Sequence, residues 1–271
     1  MEARIRPAAV AGRFYPGRPE DLVREVDSYL RAAPPQATAA LHPPKLLLVP
    51  HAGYMYSGPI AAGAYARLAP WRGRIERVVL LGPTHRVPVR GLALPSALAF
   101  DTPLGRVAID REAVASLAAL PQVIVNDATH ADEHALEVQL PFLQRVLGSF
   151  RLVPLAVGMA EPEAVAQVLE RLWGGDETLI VISSDLSHYL SYAEARERDS
   201  ATIGRVLRLD PVLDHDQACG ATPLSGALIA ARRHGLKPQL VDLRNSGDTA
   251  GDRRRVVGYA AVVFEAPLEP A

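Results

Sequence analysis

Residues 45–57 read KLLLVPHAGYMYS. The aliphatic run is too short for a buried helix and shows no polar alternation, so it reads as a strand covered on both faces. It stops at Pro50, and His51 follows at its carboxyl end, ahead of a small, glycine-containing turn. Two other stretches repeat the pattern: RVVLLGPTHR (77–86) ends at His85, and TLIVISSDLSH (178–188) ends at His188. In α/β sheets, ligands gather in the crevice beyond the carboxyl ends of the strands. Imidazole is the commonest metal-binding side chain and a base near neutral pH. Three of the eight histidines therefore point toward one pocket.

Working outward, Leu22, Val23, Val26, Tyr29 and Leu30 recur at helical spacing and predict a helix over 19–33. Prolines make the stretch 33–44 a loop. Further helices are expected at about 60–68, 112–120, 133–147 (bent near Pro141), 162–173, 193–207 and 223–234. Strands are expected at 45–49, 77–81, 152–157, 178–183, 239–243 and 256–264, with shorter ones between 91 and 126. This alternation predicts one α/β domain over residues 1–271, built around a mostly parallel central sheet with helices on both faces.

The formal net charge of −1 gives no electrostatic support to nucleic-acid or anionic-membrane binding. Cys219 is the only cysteine, so no internal disulfide can form, and a reducing, cytoplasmic location is expected. No uninterrupted apolar stretch of membrane-spanning length occurs, and the N-terminal residues lack the apolar core of a secretion signal.

Each candidate residue has a functional and a plain reading. His51 can serve as a ligand, with Tyr54 and Tyr56 lining a pocket, or it can bond a carbonyl in a strand-to-helix turn. His85, beside Thr84, can be a second ligand or a polar contact to substrate. Asp185 and His188 stand three apart and suit an oriented acid–base pair on one face of a turn; alternatively Asp185 caps that turn. Cys219 precedes an expected helix start, with Thr222 as cap and Pro223 at the first position, where thiolate is favoured; a lone cysteine is also often a small buried hydrophobe. HADEHALE (130–137) fits the HxxEH pattern of zinc peptidases, with His130 and His134 as ligands and Glu133 as base. Asp132 reads as a helix cap that would turn His130 away. His134 and Glu137 are expected to support the pocket from behind. His42 and His234 read as surface residues, and His215 as a minor candidate.

Taken together, RPAAVAGRFYP, VPHAGYMYSG, LGPTHRVP, DTPLG, DEHALEVQLPFL, SSDLSHY and ACGATPLSG resemble the Memo (mediator of cell motility) family, whose bacterial and archaeal members are called AmmeMemoRadiSam system protein B. The matches run in order from near residue 6 to near 226, and GYAAVVF (258–264) fits at the end. The resemblance implies a fold similar to the class III extradiol dioxygenases, where two histidines and a glutamate hold non-haem Fe(II). It implies His51, His85 and Cys219 as metal ligands, with cysteine in place of the dioxygenase glutamate, and His188 at the acid–base position beside Asp185. A soft thiolate suits iron, copper or zinc and is itself oxidisable, so ring cleavage is not expected. The resemblance also implies association with radical S-adenosylmethionine and AMMECR-type proteins.

Three functions compete at this point. The first is a metal-dependent redox protein using iron or copper. The second is a module binding a small molecule or peptide in the same pocket, as phosphotyrosine-peptide binding by Memo relatives suggests. The third is a zinc peptidase on His130, Glu133 and His134.

Overall fold

A computed structural model describes residues 4–34 and 41–267. The expected loop at 33–44 therefore falls partly outside the described residues. The chain opens with β1 (Ile5–Arg6), α1 (Pro19–Ala32), β2 (Leu46–Val49), α2 (Tyr54–Ala66) and β3 (Arg77–Pro83). Short elements follow: β4 (Leu92–Leu94), β5 (Ala99–Phe100), β6 (Val107–Ala108), α3 (Arg111–Ser116), β7 (Val123–Val125) and α4 (Asp127–Ala131). Then come α5 (Leu140–Leu147), β8 (Arg151–Val157), α6 (Pro162–Leu172), β9 (Thr178–Ser183) and β10 (His188–Leu190). The chain closes with α7 (Tyr192–Leu207), α8 (Ala221–Arg233), β11 (Lys237–Asn245) and β12 (Val256–Glu265).

The large sheet runs β10-β12-β2-β9-β3-β8-β4-β7, with β11 also paired to β12. Its centre is a parallel block of β2, β9, β3 and β8, and β7 lies parallel to β4 at one edge. β12 lies antiparallel to β2, β10 and β11, and β4 antiparallel to β8. The sheet is thus mixed, not mostly parallel as the sequence suggested. An apolar run carries no mark of strand direction, and the adjacent β11 and β12 pair without a crossover helix. A small second sheet orders β1-β5-β6.

The apolar runs read as expected. Alternate residues of each central strand enter opposite cores. Leu47, Val49, Val78, Leu80, Leu179 and Val181 pack with α1, α2 and α5 residues such as Leu22, Val26, Ile60 and Phe142. Leu46, Leu48, Val79, Leu81, Ile180 and Ile182 pack with α6, α7 and α8 residues such as Val165, Leu169, Ile203 and Leu228. Helices cover both faces, which is why the central strands show no polar alternation.

Two of the boundaries that differ from expectation bear on the site. Helix α2 starts at Tyr54, ahead of Pro59, which lies inside it. The missing proline N–H deprives only the carbonyl of Met55 of its helical donor, and Met55 is exposed. The stretch expected as one helix over 133–147 is instead a 3-10 turn at Glu137–Gln139 followed by α5. Pro141 sits in the first turn of α5, where it helps begin the helix rather than bending it.

Candidate metal centre

The parallel block places the site. His51 lies two residues past β2, and His85 two residues past β3. These two strands are not direct neighbours: β9 lies between them, with Ser183 paired to Val49. The two histidines flank the end of β9. His134 completes a cluster in which one nitrogen from each of His51, His85 and His134 lies within 4.8 Å of the others. The rings of His51 and His85 meet edge-on at 5.1 Å between centroids, and those of His85 and His134 stack at 4.6 Å.

Hydrogen bonding fixes which nitrogen of His51 faces the cluster. Tyr65 donates its hydroxyl to Gln139 Oε1 at 2.8 Å, so Gln139 Nε2 is the donating end. That nitrogen donates to the Pro50 carbonyl at 2.9 Å and to Ser183 Oγ at 2.8 Å. Ser183 gives its own proton to the Ala135 carbonyl at 2.6 Å. Its Oγ can then only accept from His51 Nδ1, 3.0 Å away. His51 Nε2 is left with its lone pair.

On the other side, Glu133 accepts from the His85 backbone N–H at 2.6 Å and pairs with His85 Nδ1 at 2.8 Å. His134 Nδ1 lies 3.4 Å from the same carboxylate. A carboxylate behind an imidazole orients it and raises its basicity, as in many metal sites. Sequence reading gave Glu133 the part of a peptidase base and missed Ser183 and Gln139 altogether. The signal for Ser183 was its place as the last residue of β9; Gln139 left none.

Burial governs the charges. Burial and the neighbouring His85 hold His51 down to about 3, and burial with His51 beside it holds His134 at about 4. Burial pushes Glu133 up, but hydrogen bonds and charge from His85 outweigh it and keep the carboxyl at about 2. Asp185 is fully buried and raised by desolvation.

Cys219 Sγ lies 3.3 Å from His51 Nε2, but the residue is outside the three-histidine cluster and is not among the residues lining the cleft described below. Gly220 permits this approach: a Cβ there would meet the Ser184 side chain at 2.7 Å. Burial and the charge of Asp185 push the Cys219 thiol up to about 12, so a local cation is what would stabilise its thiolate. α8 begins at Ala221, which puts Thr222 inside its first turn and not at the cap. His215 Nδ1 contacts the Cys219 carbonyl at 3.2 Å, outside the cluster.

Asp185 and His188 do not form the pair the sequence suggested. Residues 184–187 are irregular and His188 opens β10. His188 Nδ1 pairs with the Leu186 carbonyl at 2.8 Å, and Asp185 Oδ1 accepts the His51 backbone N–H at 2.7 Å. Both residues still line one cleft of about 620 Å³ with His51, His85 and His134. Phe14, Tyr56, Tyr189 and Tyr259 give it aromatic walls, and Arg255 stands at its rim. Tyr189 holds a left-handed backbone (φ 59°), a conformation that bulky residues rarely adopt.

Three expected residues lie elsewhere. Tyr54 is buried and donates to the Val138 carbonyl at 2.6 Å, because α2 turns it inward while Tyr56 faces the cleft. Glu137 is wholly buried under the N-terminal segment, accepting from Ala9 N, Val10 N and Tyr15 Oη. Thr84 is half-buried beside His85 and is not among the cleft-lining residues. The peptidase pattern also fails, because His130 Nε2 bonds the Ala93 carbonyl at 2.8 Å. Asp132 is the C-cap of α4 and not an N-cap. Among the surface candidates, His42 pairs with Asp176, and His234 stacks on Trp173 and pairs with Glu170.

An acid-stability prediction follows from the buried imidazoles. Burial lowers His51 to about 3 and both His130 and His134 to about 4, against about 6.5 in an unfolded chain. Below pH 6.5 the unfolded chain binds protons that the folded one refuses. The stability these groups contribute is therefore complete above that pH and lost progressively toward the folded values. For chelator-treated protein the expected loss between pH 7 and pH 5 is about 1–2 kcal/mol per histidine. Urea midpoints at the two pH values measure it; equal midpoints contradict it.

Among the described residues no helix is long and apolar enough to cross a membrane. A profile of the Memo-like protein family matches residues 6–263. A MEMO1 family protein of Ignicoccus hospitalis is 36% identical, covering 97% of this chain and 99% of its own length. A MEMO1 family protein of Aquifex aeolicus is 38% identical, covering 96% of this chain and 99% of its own. In overall fold the chain is similar to an uncharacterized protein, JW3007, of Escherichia coli K12, with a TM-score of 0.51 at 14% identity over 81% of this chain and 99% of that one. With a near-full-length profile match and full-length relatives above 30% identity, the chain belongs to the Memo-like protein family.

Proposed function

We propose that this protein binds one iron or copper ion in the cleft through His51, His85 and Cys219, with His134 beside it, and uses it for redox chemistry on a small ligand. The observation that carries this reading is the fixed tautomer of His51, whose free Nε2 faces Cys219 Sγ at 3.3 Å. A nitrogen and a sulfur bound tetrahedrally to one ion stand about 3.6 Å apart, given metal–ligand bonds of about 2.0–2.3 Å. The His51–Cys219 pair therefore fits one ion, while the compact donor cluster among the described residues is His51, His85 and His134, so Cys219 has to move toward His85 to complete the set. Two imidazoles and a soft thiolate suit iron or copper.

The ion would supply one-electron redox chemistry and Lewis acidity. The remaining work falls to the chain's own groups. His188 gives its Nδ1 proton to the Leu186 carbonyl, so its Nε2 lone pair is available to take a proton from a ligand in the cleft. Asp185 holds the His51 backbone and places a carboxylate in the cleft wall. The aromatic walls favour a planar or apolar ligand body. This arrangement supports kinship with the class III extradiol dioxygenase fold without a dioxygenase reaction. Radical S-adenosylmethionine and AMMECR-type proteins are the proposed partners, in a reducing, cytoplasmic setting.

Elemental analysis of protein purified under reducing, chelator-free conditions tests the reading. Close to one equivalent of iron or copper per chain is expected. Zinc alone, or no metal even after reconstitution with iron and copper, contradicts redox use. With no metal at all, the size of the cleft favours a metal-independent module for a peptide or small molecule.

A further inference from the structure

A second cavity of about 400 Å³ lies where α1, α2 and α5 all end, and its walls include Leu30, Ala66, Arg67, Arg72, Arg145 and Val146. Helix carboxyl ends attract cations, and two of the arginines have structural duties. Arg72 caps α5 by donating to the Arg145 carbonyl at 2.7 Å. Arg145 grips Asp27 with two bonds of 2.8 Å. Arg67 is different. Only 8% of it is exposed, yet its Nε has no hydrogen-bond partner, and among the described residues no carboxylate pairs with it. On the α1 side the cavity is lined by Leu30, Ala33 and Pro34, none of which carries a charge.

A buried guanidinium without a counter-charge is costly. Three guanidinium groups outnumber the single carboxylate of Asp27, and the partial negative charges of the helix ends offset only part of the excess. Guanidinium groups match tetrahedral oxyanions through several N–H donors at once, and Leu30, Ala66 and Val146 offer apolar wall for a ligand body. We propose that this cavity binds the phosphate group of a small phosphorylated molecule, with Arg67 as its principal ligand. The site is separate from the cleft: α2 has 13 residues, about 20 Å, with His51 near its start and Arg67 just past its end.

Inorganic phosphate is the probe, measured by calorimetry and by thermal shift against chloride at matched ionic strength. Wild-type protein should bind phosphate saturably and gain Tm as phosphate rises. Arg67→Met, which keeps the side chain's bulk without its charge, should weaken binding at least tenfold. Ala69→Asp, at an exposed position lining the same cavity, supplies a competing carboxylate and should do the same; it decides the matter if Arg67→Met does not fold. His51→Ala, at the cleft, should bind phosphate as wild type does. No gain over chloride in wild type, undiminished binding in Ala69→Asp or in a folded Arg67→Met, or loss in His51→Ala overturns the assignment.

Discussion

His51→Ala should leave the protein without bound metal while the fold survives. His51 is 2% exposed, and its Nε2 is the nitrogen aimed at Cys219. An alanine there removes the donor shared by the histidine cluster and Cys219, and Ser183 and Gln139 remain engaged with Ala135 and Pro50, so only His85, Cys219 and the neighbouring His134 are left to hold the ion. Those same bonds keep the end of β9 in place, so the melting temperature should move only a few degrees. Residues behind metal ligands are worth about 10–100-fold in affinity, and loss of a ligand should exceed that. Cys219→Ser is the companion variant. It keeps the shape but replaces a soft thiolate with a hard hydroxyl, so iron or copper should fall to a small fraction of wild type. Full occupancy in both folded variants would break the assignment.

The second large effect concerns stability. Glu137→Ala should destabilise the fold by about 3–5 kcal/mol, the usual consequence of stripping one partner from a buried ion pair. Glu137 is wholly buried. Its carboxylate pairs with Arg6 and accepts Ala9 N at 2.8 Å, Val10 N at 3.0 Å and Tyr15 Oη at 2.6 Å. Arg6, 5% exposed, would be left with two carbonyls, those of His130 and Glu133, and no counter-charge. The effect should reach the cleft. The segment Glu137 anchors carries Phe14, whose ring lies 4.6 Å from that of His134 and whose carbonyl accepts the Tyr54 N–H. Tyr15→Phe, which removes one hydrogen bond and no charge, should cost about 1 kcal/mol. Urea unfolding of the two variants measures the contrast; a Glu137→Ala cost no larger than that of Tyr15→Phe refutes the clamp.

How much of this was legible in the sequence depends on what each residue's neighbours had to supply. The strands ending at His51 and His85 were legible because both faces of the sheet are covered, which leaves unbroken apolar runs. The direction of β12 was not, because its run looks the same whether it lies parallel or antiparallel to β2. Tyr54 and Tyr56 stand two apart at the start of one helix and so face nearly opposite ways; reading α2 as starting at Ile60 hid that. Glu137 sits within a motif that holds the cluster residue His134 and its carboxylate neighbour Glu133, but the 3-10 turn at Glu137–Gln139 swings its carboxylate toward Arg6. The HxxEH spacing misled for a similar reason: α4 ends at Ala131, so His130 and His134 do not share a helix. The Gln139–Ser183–His51 chain joins residues 44 and 132 positions apart, and no local pattern announces it.

X-ray absorption at the metal edge of iron- or copper-loaded wild-type protein, beside Cys219→Ser, tests the central claim most directly. One sulfur scatterer at about 2.3 Å together with imidazole nitrogens at about 2.0–2.1 Å is predicted for wild type, with the sulfur absent from whatever metal the variant retains. A wild-type spectrum with nitrogen and oxygen scatterers only, unchanged by Cys219→Ser, would contradict it.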